Sequence, residues 1–98
     1  MVAYVIAVWS EERDRAWREE YGPKVAVLTE KYGGRTVVTS AAAVEQLEGD
    51  RKLPMGITVL EFPSVEQAKA WYQDPEYALL IKLRQTGLTG DLFVVDGT

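Results

Sequence analysis

Val2-Ala-Tyr-Val-Ile-Ala-Val-Trp9 is the stretch that decides the fold. Its residues are β-branched, aromatic or small, and it falls far short of the ~18–20 apolar residues of a membrane-spanning helix. It therefore reads as a strand. A sheet with one wet face would alternate apolar and polar side chains along such a strand. Here Ala3, Val5, Ala7 and Trp9 occupy one face while Tyr4, Ile6 and Val8 occupy the other. Leu92-Phe-Val-Val95 repeats the pattern, with Leu92 and Val94 set against Phe93 and Val95. Both strands ask for cover on two sides.

Working outward, Ser10 can cap a helix, with Glu11 and Glu12 suited to its positive end. Trp17, Tyr21, Val25, Leu28 and Tyr32 recur at steps of four, four, three and four and share one helical face. Pro23 falls inside that pattern and is expected to kink or restart the helix. Gly33-Gly34 ends it, because glycine takes the left-handed closing conformation without steric cost. Arg35 to Thr39 reads as the second strand, with Val44 to Leu47 as a continuation. Residues 49–56 form a loop, and Ile57 to Phe62 is the third strand. Ser64 and Gln67 have the spacing of a capping box that opens a second helix. Asp74-Pro75 restarts it as far as about Thr86, and Leu92 to Val95 is the fourth strand.

The expected fold is thus α+β, a ferredoxin-like βαββαβ order with a four-stranded antiparallel sheet, over one domain spanning residues 1–98. Two helices can cover one sheet face only. The economical cover for the other is the sheet of a second copy, since a stable interface needs ~800 Å² per partner. A homodimer is the expected assembly.

The composition removes several classes of function. The chain has 98 residues and no cysteine or histidine. Disulfides, thiolate chemistry and zinc-thiolate sites are excluded, as is a haem held by imidazole. A net charge of −4 lacks the basic stripe that nucleic-acid binding requires. No targeting segment or membrane span is read, so cytoplasmic residence is expected. No dinucleotide or phosphate-loop fingerprint is present, and neither a cofactor nor a metal is expected.

Tyr32-Gly33-Gly34-Arg35, Leu47-Glu48-Gly49-Asp50, Glu61-Phe62-Pro63-Ser64, Ala70-Trp71-Tyr72 and Asp74-Pro75-Glu76-Tyr77 stand in a telling order. In that order they resemble the domain-of-unknown-function family DUF1330, from about Tyr4 to Asp96. The family belongs to the dimeric α/β-barrel superfamily. The resemblance implies two sheets packed face to face, with a pocket between each sheet and its helices, and it implies no defined activity. Relatives tend to turn through glycines after the second strand, whereas this chain has Ser40-Ala41-Ala42-Ala43.

Arg84 is the most informative candidate for chemistry. It shares the helical face of Tyr77, Leu80, Ile81 and Leu88, and a lone buried charge is costly. Three readings are open. Arg84 can snorkel to water, pair with Glu61 or Glu48, or clamp a ligand carboxylate or phosphate. Glu61, placed on an inward face with Ile57 and Val59, is the natural counterpart and a candidate catalytic base. Its other reading is a strand-end glutamate near solvent or in an ion pair. Tyr4, Tyr32, Trp71, Tyr72 and Tyr77 are candidate pocket walls, or plain core. Glu48, Asp50 and Glu61 lack the spacing of a metal site.

Two classes of function follow. One is a dimeric protein that binds a small, anionic molecule between sheet and helices, or acts on it without a cofactor. Arg84 would be the anchor, Glu61 the base, and Tyr4, Tyr32, Trp71 and Tyr77 the walls. The alternative is a non-catalytic structural or interaction module whose polar residues only satisfy the core.

Overall fold

The computed structural model describes residues 2–97. β1 (Ala3–Glu12) is central in the sheet and pairs antiparallel with both β3 (Gly56–Phe62) and β4 (Leu88–Asp96). β2 (Arg35–Val38) lies outside β3, which gives the strand order β2-β3-β1-β4. With α1 (Arg18–Lys31), α2 (Val65–Gln73) and α3 (Pro75–Gln85) on one side, this is the ferredoxin-like arrangement. No helix among the described residues is long and apolar enough to cross a membrane.

The two faces of β1 part as its alternation requires. Ala3, Val5, Ala7 and Trp9 are buried beneath the helices, while Tyr4, Ile6 and Val8 are only half-covered on the opposite face. Register carries the second face across the sheet. Ile6 lies opposite Val59 and Phe93, and Tyr4 opposite Glu61 and Val95.

Both caps in the second helical segment form. Ser64 Oγ accepts from the Gln67 amide at 3.1 Å, and Asp74 Oδ1 accepts from the Glu76 amide at 2.8 Å with Pro75 in the first turn. Gly33, at φ 78°, closes α1 in the left-handed region. Gly34 lies so near Phe62 and Thr29 that a Cβ there would overlap both.

Three local expectations are corrected. The first helix begins at Arg18, not after Ser10, because β1 continues past a bulge to pair Glu11 with Thr89 and Glu12 with Leu88. Glu12 is therefore a strand residue, and it accepts from Arg18 Nε and Nη2 at 2.7 and 2.8 Å. Pro23 does not restart α1, which runs through it. Val44 to Leu47 form no strand. The chain turns off the sheet at Thr39, whose carbonyl accepts from the Ala42 amide, and Leu47 stands fully exposed.

α2 packs on β1, β3 and β4, whereas α1 packs chiefly on α3. Beneath α2 the core centres on Phe62, Trp71 and Tyr77, each almost wholly buried. Burying a large apolar side chain of this kind stabilises the fold by about 1.5–3 kcal/mol. α1 stands off the sheet, and the space left under it is a cavity.

Candidate functional site

The cavity measures about 380 Å³ and lies between α1, α3 and the helix-facing side of the sheet. Val5, Ala7, Leu60 and Leu92 form its apolar floor, and Trp9, Trp17, Trp71, Tyr21 and Tyr77 contribute aromatic surface. The chain carries fifteen acidic residues against eleven basic ones, yet among the described residues no carboxylate lines this space. Its charged lining residues are Arg18, which is paired with Glu12, and Arg84.

The last turn of α3 brings Arg84 into the core, 4% exposed. It does not snorkel to water. Its Nη1 donates to Tyr77 Oη at 2.8 Å and to Tyr21 Oη at 3.3 Å, and the two phenol oxygens are 2.8 Å apart. Its Cζ lies 5.2 Å from the centre of the Trp9 ring, within the range of a cation–π contact. The Trp9 indole is held in turn by donation to Thr58 Oγ1 at 2.9 Å. Burial works against the guanidinium charge, but the phenols of Tyr77 and Tyr21 outweigh it, and the pKa sits above its usual value. Burial likewise pushes the Tyr77 phenol well above the ordinary tyrosine range. Arg84 stays charged and Tyr77 stays protonated, so the cluster offers hydrogen-bond donors and no base.

The buried side-chain polar atoms left without a partner among the described residues are Trp17 Nε1, Trp71 Nε1 and Arg84 Nε. All three are N–H donors, and all three residues line this cavity. Buried donors are rarely left unsatisfied. These three donors have no acceptor among the described residues, although the Thr29, Thr36, Thr39, Ser40 and Thr58 hydroxyls also line the space.

Glu61 is not where the sequence pattern put it. Leu60 and Phe62 face the helices, so Ile57, Val59 and Glu61 face the opposite side of the sheet. The Arg84–Glu61 pair does not form. Glu61 instead accepts from Arg35 Nε at 3.1 Å and Nη2 at 3.4 Å. Glu48 is exposed and is not bonded to Arg84. Tyr4, directly opposite Glu61 in register, is also on the open face and away from the cavity. Tyr32 does not line the cavity either. Its hydroxyl donates to Asp74 Oδ2 at 2.6 Å, and Lys31 Nζ reaches the same oxygen at 3.4 Å. Trp71 and Tyr77 do line it, with their rings 4.4 Å apart. Among the described residues no three Asp or Glu side chains gather as a metal site would require.

Sequence reasoning named neither Tyr21, Trp9 nor Trp17 as site residues. Tyr21 and Trp17 were on the apolar stripe of the first helix, and the phenol tip of Tyr21 was the available signal. Trp9 lies on the face of β1 that meets Arg84.

A four-stranded antiparallel sheet with its helices on one face places the chain among the small ferredoxin-like α+β proteins. Within that class the chain belongs to the family described as domain of unknown function DUF1330, which it matches over residues 2–98. Among solved structures, a protein of unknown function from Rhodopseudomonas palustris matches with a TM-score of 0.72 at 16% identity. That match covers 99% of this chain and 82% of that one. SnoaB from Streptomyces nogalater, described as a cofactor-independent oxygenase, matches with a TM-score of 0.64 at 9% identity, covering 99% and 93%. A protein of unknown function from Bacteroides fragilis, described as dimeric and ferredoxin-like, matches with a TM-score of 0.51 at 12% identity, covering 98% and 96%. At these identities the likeness is one of fold. None of the curated proteins matches the sequence.

Proposed function

We propose that the chain works as a homodimer, sheet against sheet, and takes a small negatively charged molecule into the cavity beneath α1. The observation that carries the ligand reading is Arg84, a buried guanidinium whose side-chain hydrogen bonds among the described residues go to phenols and to no carboxylate. A buried charge without a counter-charge is costly to the fold by several kcal/mol, and an anionic ligand would offset that cost. Trp71 and Tyr77 would be walls and Tyr21 a second contact. Glu61 and Tyr4, on the opposite face, have no part in this site. At about 380 Å³ the cavity is at the small end of the ~300–1,000 Å³ usual for ligand sites.

The dimer reading rests on the open face, where Ile6, Val8, Ile57, Val59, Phe93 and Val95 are neighbours in register, with Asp91 and the Glu61–Arg35 pair on the flanking strands. The relative from Bacteroides fragilis is described as dimeric, which fits the same arrangement.

Thermal unfolding with a panel of small acids tests the ligand reading. A ligand at about one hundred times its dissociation constant adds about 2.7 kcal/mol of stability. At least one acid is expected to raise the melting temperature of the wild type and to leave Arg84→Met unmoved. Equal shifts in both proteins, or none with any acid, would count against an anion site at Arg84.

A further inference from the structure

We infer that the ligand is an apolar monocarboxylate, gripped side-on by the Nε–Nη2 edge of Arg84. The inference rests on the reading of Arg84 as an anion anchor and specifies what that anchor selects. Arg18 and Arg35 show how a guanidinium of this protein meets a carboxylate side-on, and Arg84 differs from both. Arg18 holds Glu12 through Nε and Nη2 at 2.7 and 2.8 Å, and Arg35 holds Glu61 through the same two atoms at 3.1 and 3.4 Å. Arg84, the most buried of the three, spends only Nη1 on the protein, on Tyr77 and Tyr21. Its Nε is buried without a partner, and Nη2 has none among the described residues. That edge, unpartnered although Nε is closed to solvent, is the planar fork that matches two carboxylate oxygens, and a carboxylate would seat on it by displacing a neighbouring side chain.

Charge matching narrows the class. One guanidinium lacks a counter-ion here, and Arg18, the other cation lining the cavity, is already paired. A carboxylate supplies one negative charge. A phosphate monoester brings about −1.5 to −2 near neutral pH, more than the one unpaired guanidinium balances, and no other unpaired cation among the described residues lines the cavity to meet the surplus. The apolar floor of Val5, Ala7, Leu60 and Leu92, with the Trp9 ring beneath the cation, suits a hydrocarbon or aromatic body.

The test titrates the wild-type protein with acetate, benzoate, phenylacetate and 3-phenylpropanoate, with phenylacetamide and phenyl phosphate as matched controls. Affinity is expected to rise along the carboxylates by roughly fourfold for each methylene buried, until the cavity is full. Phenylacetamide and phenyl phosphate should bind at least tenfold more weakly than phenylacetate. The Arg84 Nε–H resonance should move downfield as carboxylate is added, a readout that needs no variant. Arg84→Lys keeps the charge but loses the fork, and should bind phenylacetate at least tenfold more weakly. If phenyl phosphate binds best and its binding needs Arg84, the anion site stands and the carboxylate assignment falls. If the amide binds as well as the acid, or no probe binds, the anion site falls with it. An Nε–H resonance unmoved at saturating phenylacetate would overturn the side-on grip.

Discussion

The phenol of Tyr32 and the carboxylate of Asp74 meet at 2.6 Å, joining the end of α1 to the junction of α2 and α3. Asp74 is buried there, caps α3 through the Glu76 amide and also accepts from Lys31. The Tyr32 hydrogen bond first, then the Glu76 amide, hold its carboxyl below its ordinary value of 3.8. A depressed folded-state pKa means that the unfolded chain takes up the proton first. The stabilisation is therefore fully present above pH 3.8 and lost as the pH falls through the lower folded-state value. Tyr32→Phe is expected to lower the melting temperature at neutral pH and to move acid unfolding to higher pH. Circular dichroism across an acid titration checks both. Identical acid midpoints for the two proteins would show that the contact does not couple the helices.

Gly90 lies against the ring of Trp9, and a Cβ at Gly90 would overlap that ring and the neighbouring Val8 carbonyl. Trp9 is held between Gly90, Thr58 and the guanidinium of Arg84. Close packing of this kind has little room to relax. Gly90→Ala is expected to cost about 1–3 kcal/mol, the usual range for overpacking. It should also change the near-ultraviolet circular dichroism of the tryptophans. Denaturant unfolding measures the first effect, and wild-type stability in the variant would contradict the packing described.

What the sequence revealed and what it hid have the same physical origin. Ser64 with Gln67 and Asp74 with Pro75 are local devices, complete within a few residues; Asp74 caps as read, and Ser64 caps through the Gln67 amide, the half of the capping box that forms. Arg84 was legible because a 3.6-residue period puts it among Tyr77 and Leu80. The face of Glu61 was not legible. Ile57 and Val59 on one side of β3 are as apolar as Leu60 and Phe62 on the other, so alternation could not tell helix side from open side. The two-sided character that pointed to a second copy thus erased the signal for orienting β3. The length of β1 was hidden because Glu11 and Glu12 resemble the first turn of a helix, whereas partners almost eighty residues away in β4 keep them extended.

Arg84 and Glu61 lie on opposite faces of the sheet, so their effects on stability should be independent. Arg84→Met and Glu61→Gln are expected to add within about 0.3–0.5 kcal/mol, as distant sites do. Recovery of stability in the double variant, the mark of a direct ion pair, would contradict the register of β3.

Tyr77 and Arg84 should behave in the opposite way. Tyr77→Phe removes the 2.8 Å acceptor from a buried guanidinium, and a hydrogen bond to a charged group contributes about 1.5–3 kcal/mol. In an Arg84→Met background that cost should fall to about 1 kcal/mol or less, because the remaining partner is the neutral Tyr21 hydroxyl. Unfolding of the four proteins of the cycle measures the coupling. A Tyr77→Phe cost that is the same with and without Arg84 would show that the two groups do not stabilise one another.

On the open face Phe93 is 56% exposed in the single chain and lies directly beside Ile6 of β1, with Val59 of β3 completing the row. A lysine at Phe93 would keep its ammonium in water in an isolated chain, so the fold itself should lose little. In a sheet-to-sheet dimer the symmetry places the substitution in the interface twice. Each copy forfeits about 1.5–3 kcal/mol of apolar burial and adds a charge to be desolvated. Phe93→Lys is therefore expected to raise the dimer dissociation constant at least a hundredfold. Sedimentation at micromolar concentration should show the wild type at twice the 11.0 kDa chain mass and the variant near 11.0 kDa. A wild type that sediments as a stably folded single chain would leave Ile6, Val59 and Phe93 uncovered and remove the physical reason for the pairing.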